Sequence, residues 1–91
     1  MTVEWDERKA ASNRTKHGVS FEEAVTALMD PLAATWFDRI VGGEERNITV
    51  GQSARDRLLL VVYTERRGGR VRIISARRAS PGERRAYEEG I

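Results

Sequence analysis

The stretch that decides the fold is Arg57–Arg78, RLLLVVYTERRGGRVRIISARR. Leu58 to Glu65 and Val71 to Ala76 are dense in aliphatic and β-branched residues, the composition of a strand packed in a sheet. Between them Gly68-Gly69 offers the positive φ angles of a tight two-residue turn, so the stretch reads as one β-hairpin. That turn sets Glu65 opposite Arg72, Tyr63 opposite Ile74 and Val62 opposite Ser75. Alternation then places Leu59, Val61, Tyr63 and Glu65 on one face with Arg72, Ile74, Ala76 and Arg78. The other face receives Leu58, Leu60, Val62, Thr64 and Arg66 with Val71, Ile73, Ser75 and Arg77. Both faces are apolar in the middle and cationic towards their ends, as expected of two central strands covered on both sides.

Outward from the hairpin, the remaining elements declare themselves by their ends. Val3 to Trp5 reads as a short opening strand. Asp6 is a plausible N-cap for a first helix reaching about Lys16, with Lys16 and His17 at its negative end and Gly18 as the residue that closes it. Ser20-Phe21-Glu22-Glu23 has the form of a capping box, opening a second helix whose Phe21, Ala24, Val25, Leu28 and Met29 make one apolar stripe before Asp30-Pro31 stops it. Ala33 to Val41 and Arg46 to Gln52 read as strands joined at Gly42-Gly43, and Ser53 to Asp56 as a turn. Ser80-Pro81-Gly82-Glu83 is a second capping box for a last helix over about Pro81 to Glu89. The expected architecture is α+β. Two N-terminal helices pack on a four-stranded antiparallel sheet, with a short C-terminal helix, in a single domain over residues 1–91.

Composition narrows the function. Ninety-one residues support one modest core, and the absence of cysteine excludes disulfides and thiolate metal sites. No apolar run approaches a membrane span and no signal-peptide pattern opens the chain, so a cytoplasmic protein with no membrane contact is expected. The net charge of +2 hides an asymmetry: residues 1–45 hold five basic and nine acidic side chains, residues 46–91 eleven and five. All eleven later cations are arginines, whose planar forks suit phosphate. Solvated strand edges are the alternative source of such a run.

Several stretches together resemble the BrnT family, the toxin half of BrnT/BrnA type II toxin–antitoxin systems. They are Trp5-Asp6 with Lys9 and Asn13, Lys16 through Ala24 (KHGVSFEEA), Asp30-Pro31, and Glu45-Arg46 with Gly51. Arg57-Leu58, Val61 through Arg66 (VVYTER) and Arg72 through Arg77 (RIISAR) follow, ending near Glu83 and Tyr87. The resemblance implies a RelE-like fold and an endoribonuclease that arrests translation. It also implies a BrnA-like antitoxin with a ribbon-helix-helix DNA-binding part, in a heterotetramer that reaches operator DNA only through the antitoxin.

Metal-free RNA cleavage needs a base for the 2′-hydroxyl, a cation for the phosphorane and an acid for the departing 5′-oxygen. Arg57, Arg72 and Arg77 match the family's motif positions and are the candidate charge stabilisers. Arginine cannot be the base, which leaves His17, Glu65 or Lys16. His17 could equally satisfy the last carbonyls of its helix, and Glu65 could simply pair with Arg72 across the hairpin. Lys16, Arg46, Arg66, Arg78 and Tyr87 are the candidate RNA contacts, Tyr87 alternatively stapling the last helix down. No cofactor or metal is called for, and the acidic residues concentrate in the helical half, away from where a two-metal nuclease would need them. The nuclease reading requires the arginines to converge in one exposed pocket. The competing class is a non-catalytic RNA- or antitoxin-binding module acting as a co-repressor.

Overall fold

The helices begin where the capping residues say they should. The computed structural model describes residues 1–90. In it β1 spans Thr2–Glu4, α1 Glu7–His17, α2 Phe21–Leu28, β2 Ala34–Val41, β3 Glu44–Gln52, β4 Leu58–Arg66, β5 Arg70–Arg78 and α3 Pro81–Glu89. The Asp6 carboxylate accepts from the amides of Arg8 and Lys9, and Gly18 closes α1 in the left-handed region (φ 67°). Both halves of the Ser80–Glu83 capping box are formed at α3. At α2 only half is formed. Ser20 accepts from the Glu23 amide, but the Glu23 side chain turns away to Arg57 and Ser53.

The sheet has five strands in the order β1-β5-β4-β3-β2, not the four expected. β2 to β5 form the antiparallel meander, and β1 adds itself parallel to β5, pairing Val3 with Val71 and Glu4 with Arg72. A parallel partner from the far end of the chain leaves no turn signal, which is why only its strand character was legible. The hairpin turn differs as well. It takes three residues, Arg67–Gly69, with φ of 76° at Gly68 and 73° at Gly69, so Arg66 pairs with Arg70 and Glu65 with Val71. A bulge then absorbs Ile74, so that Tyr63 faces Ile73 while Val62 faces Ser75 as expected. Glu65 therefore does not face Arg72; Thr64 does.

The longer turn and the bulge together re-sort the side chains. Ile73 joins Leu59, Val61 and Ala76 beneath α1 and α2, where Ala10, Val19, Phe21, Ala24 and Ala27 complete the larger core. Trp5 closes one end of it, its ring edge-on to Phe21 with centroids 5.9 Å apart. Arg72 moves to the opposite face. There α3 covers one half only, laying Tyr87 against Val50, Leu58, Leu60, Ile48 and Val62, with Ala79 just before the helix packed among them. Gly51 is the point of closest approach between sheet and α2. A Cβ there would collide with the Ala27 carbonyl oxygen.

Beyond the reach of β1, the outer edge of β5 is capped by a side chain. The Asn13 amide donates to the Ala76 carbonyl (2.8 Å) and accepts from the Ala76 amide (3.0 Å), as a neighbouring strand would. It also donates to the Val19 carbonyl at 2.9 Å, tying the loop between α1 and α2 to the sheet. We expect Asn13→Ala to cost about 3 kcal/mol, since it strands a buried backbone amide and carbonyl together. Urea unfolding monitored by Trp fluorescence measures it, and a loss below about 1 kcal/mol, the net worth of one ordinary hydrogen bond, would show that the edge cap is dispensable.

Candidate nucleic-acid interface

Four of the candidate cations, Arg46, Arg66, Arg72 and Arg77, share one face of the sheet, and all but Arg77 lie on the half that α3 leaves open. Arg66 and Arg70 face each other across the hairpin, with Arg72 one row inward and Arg77 further along β5, beside α3. Arg46 on β3 belongs to the same side, one position beyond the Asn47–Tyr63 pair. The arginines do not form one free pocket, however. Arg66 Nη2 lies 2.9 Å from Glu44 Oε2, and Glu4 sits between Arg70 and Arg72 at 3.6 and 3.7 Å. Arg77 is held hardest, its two terminal nitrogens 2.9 and 2.8 Å from the Glu83 carboxylate, which also accepts from the Ser80 amide. This fork holds the Glu83 carboxyl below its ordinary range against the opposing effect of burial. Arg46 has no carboxylate within 4.0 Å among the described residues.

Around the β5 edge from these arginines lies a hollow of about 200 Å³, lined by Lys9, Ser12, Asn13, Lys16, His17, Ile74 and Ser75. α1 supplies its cations along one side and the bulge of β5 its floor. His17 and Lys16 are exposed in the last turn of α1, so neither is consumed by the core. Because Arg77 lies two residues beyond Ser75 and Arg72 three before it, the hollow is within about 10 Å, along the strand, of two candidate arginines.

The other sequence-derived candidates lie apart. Arg57, at the start of β4, points to the junction of α1 and α2, where it donates to the Gly18 carbonyl (3.1 Å) and grips Glu23 with two nitrogens, Nε at 2.9 Å. Glu23 is 6 % exposed. It also accepts from Ser53 Oγ at 2.7 Å, so the pair pins the turn before β4 to the helical layer. Glu65 lines an acidic depression of about 490 Å³ with Glu44, Glu45, Gly43 and Asn47 at the hairpin end. Arg78 is exposed, opposite Leu59. Tyr87 donates its hydroxyl to Asp30 Oδ2 at 2.6 Å while its ring packs under α3, the stapling alternative. Asp30 also accepts from the amides of Gln52 and Leu32, joining α3, β3 and the end of α2. Glu23 and Asp30 were legible only as a helix cap and a helix stop, because the arginine and tyrosine that engage them lie far along the chain.

Comparison with known proteins places these features in a family. A model described as "Ribonuclease toxin, BrnT, of type II toxin-antitoxin system" matches residues 5–83. The crystal structure of the Brucella abortus ribonuclease toxin BrnT superposes with a TM-score of 0.64 at 23 % identity, covering 88 % of this chain and 97 % of that one. At that identity the likeness establishes a common α+β fold. No curated protein matches the chain.

The Glu23–Arg57 pair makes stability depend on pH. Arg57, aided by Ser53 and opposed by burial, holds the Glu23 carboxyl below its ordinary value. The stabilisation is therefore complete above the ordinary carboxylate pKa and is lost as pH falls through the depressed one. We expect Glu23→Gln to lower stability by about 3 kcal/mol at neutral pH, with the gap to the parent closing on acidification. Denaturant midpoints across an acid series measure it, and a constant gap would contradict the linkage.

Proposed function

Because the chain belongs to the BrnT family of ribonuclease toxins of type II toxin–antitoxin systems, we propose that it is a metal-independent endoribonuclease whose substrate crosses the β5 edge. The arginines do not converge in the one exposed pocket that the sequence reading required, so the proposal rests on the family and on the juxtaposition there of a hollow holding His17 and Lys16 with the arginine-bearing face of the sheet. In this mechanism His17 removes the 2′-hydroxyl proton and the 2′-oxygen attacks the adjacent phosphorus. Arg72 stabilises the charge that builds on the phosphorane, and the 5′-oxygen leaves with a proton from Lys16 or water. The products are a 2′,3′-cyclic phosphate and a free 5′-hydroxyl. The carboxylates on this face, Glu4, Glu44 and Glu83, are each engaged by arginine, which favours guanidinium over a divalent ion as the charge stabiliser. Arg57 holds the α1–α2 junction that carries His17 and acts through position.

The partner is a BrnA-like antitoxin with a ribbon-helix-helix part, in a heterotetramer that binds operator DNA through the antitoxin and not through this chain. Inhibition is by occlusion: an acidic segment on the open arginine face masks the charges that phosphate needs. Trp36 and Val41 stand beside that face on β2, 36 % and 42 % exposed, and give such a segment apolar purchase. The carboxylate pairing of Arg66, Arg72 and Arg77 favours one second reading, a non-catalytic antitoxin-binding co-repressor.

Incubation with single-stranded RNA in EDTA separates the two readings. Cleavage to cyclic-phosphate ends, blocked by the antitoxin, is expected, with His17→Ala lowering the rate about 100-fold and leaving the melting temperature unchanged. Antitoxin binding by a chain that cuts no RNA would establish the co-repressor. A His17→Ala variant cutting at full rate would remove His17 from the chemistry.

A further inference from the structure

Among the described residues, three buried side-chain polar atoms lack a hydrogen-bond partner: Glu4 Oε1, Arg46 Nε and Thr64 Oγ1. They come from three different strands, yet fall on one line across the sheet. Thr64 faces Arg72 on β5, and Arg72 faces Glu4 on β1. One step beyond the Asn47–Tyr63 pair, the β3–β4 ladder brings Arg46 beside Thr64. The row therefore reads Arg46, Thr64, Arg72, Glu4, on the face that α3 leaves open. Thr64 is 1 % exposed, so its hydroxyl forgoes water as well as a protein partner. Arg70 approaches Glu4 Oε1 only to 3.6 Å, an ion pair outside hydrogen-bond reach. Buried polar groups are almost always satisfied, and three failures on one row call for a common cause.

We propose that this row seats the phosphodiester and ribose next to the ones that react, with Arg46 and Thr64 holding that phosphate, Arg72 placed between it and the reacting one, and Glu4 accepting from that ribose's 2′-hydroxyl. This deepens the ribonuclease reading and rests on it for the identity of the polymer. Strands lie about 4.8 Å apart, so Arg46 and Arg72 flank Thr64 with about 10 Å between their Cα atoms. A tetrahedral anion between them would be gripped from both sides once the two guanidinium groups part to uncover the Thr64 hydroxyl beneath. Glu4, one strand further on, is the acceptor in a row otherwise made of donors. An acceptor beside an anion seat fits a ligand that carries a donor next to its own negative charge, which ribose has and deoxyribose lacks. Thr64 and Glu4 thus become specificity residues of the site, Thr64 for the anion and Glu4 for the sugar.

Uridine 3′-monophosphate and its 2′-deoxy counterpart test this without cleavage, titrated by calorimetry or by amide chemical shifts. The ribonucleotide is expected to bind about tenfold more tightly than the deoxynucleotide, as one charged hydrogen bond would allow. Glu4→Ala should collapse that ratio towards one while leaving deoxynucleotide affinity intact or improved, since a competing carboxylate is gone. Thr64→Val should weaken both nucleotides about tenfold and leave the melting temperature equal or higher, because the hydroxyl it deletes is satisfied by nothing in the fold. Equal affinity of the parent for the two nucleotides, or a Thr64→Val variant that melts earlier yet binds normally, would overturn the seat. The two readings fail separately. RNA cutting by a chain indifferent to both nucleotides removes the seat and keeps the ribonuclease. Ribose-selective binding by a chain that cuts no RNA does the reverse.

Discussion

The arginines gather on one face because a three-residue turn and one bulged residue act together. Were β4 and β5 paired without the bulge at Ile74, the three-residue turn would carry its one-step shift along the whole hairpin. Arg77 would then share the face of Leu59 and Val61, and a guanidinium would sit under α2 where Ala76 now packs. Burying an unpaired guanidinium costs several kcal/mol, far more than the ladder hydrogen bonds a bulge disturbs. The bulge lets both ends of β5 obey the same rule, apolar side chains under the helices and arginines away from them. It also marks the floor of the hollow that holds His17, so the accommodation that solves a packing problem shapes the candidate site.

Polar anchors of unequal strength fix the helices over this sheet. Asn13, Glu23 and Asp30 each join elements distant in sequence, and Asn13 and Glu23 are buried. They are worth more than the exposed Arg14–Glu22 or Arg84–Glu88 pairs, at 3.9 and 4.0 Å, which water screens. The small core explains the reliance. Alanines 10, 24, 27 and 76 bring helix and strand close but bury little apolar area each, so directional contacts set the geometry that bulkier side chains would set elsewhere.

What could be read from the chain was local. Asp6, Gly18 and Ser80 with Glu83 act within a few residues of themselves, and each ended or began an element where expected, while Gly68-Gly69 announced a turn but not its length. The three helices, the meander and its covering on both faces followed. What escaped depends on partners that spacing does not announce: β1 docking parallel to β5, Glu23 choosing Arg57 over its own helix end, and a single unpaired residue in β5. The length of the hairpin turn escaped as well, and it matters most for the site. A two-residue turn puts Glu65 against Arg72 and offers a catalytic pair, whereas the three-residue turn puts Thr64 there and leaves Glu65 with the acidic end of the hairpin.

The ion pairs on the arginine face then sort its cations by availability. Arg77 and Glu83 meet through two hydrogen bonds while Glu83 also caps α3, so an incoming phosphate would have to break a helix start to claim Arg77. Arg57 is bound as firmly to Glu23. Arg70 and Arg72 share a single carboxylate at 3.6 and 3.7 Å, a distance at which attraction persists but no hydrogen bond is lost on departure. Glu4 thus holds two guanidinium groups in place with little hold on either, and Arg46 is held by no carboxylate among the described residues. The cations free to take a phosphate are accordingly Arg46, Arg70 and Arg72 at the open end of the sheet, where only Arg66 is tightly held, by Glu44 at 2.9 Å, and the firmly paired Arg57 and Arg77 serve the fold that presents them.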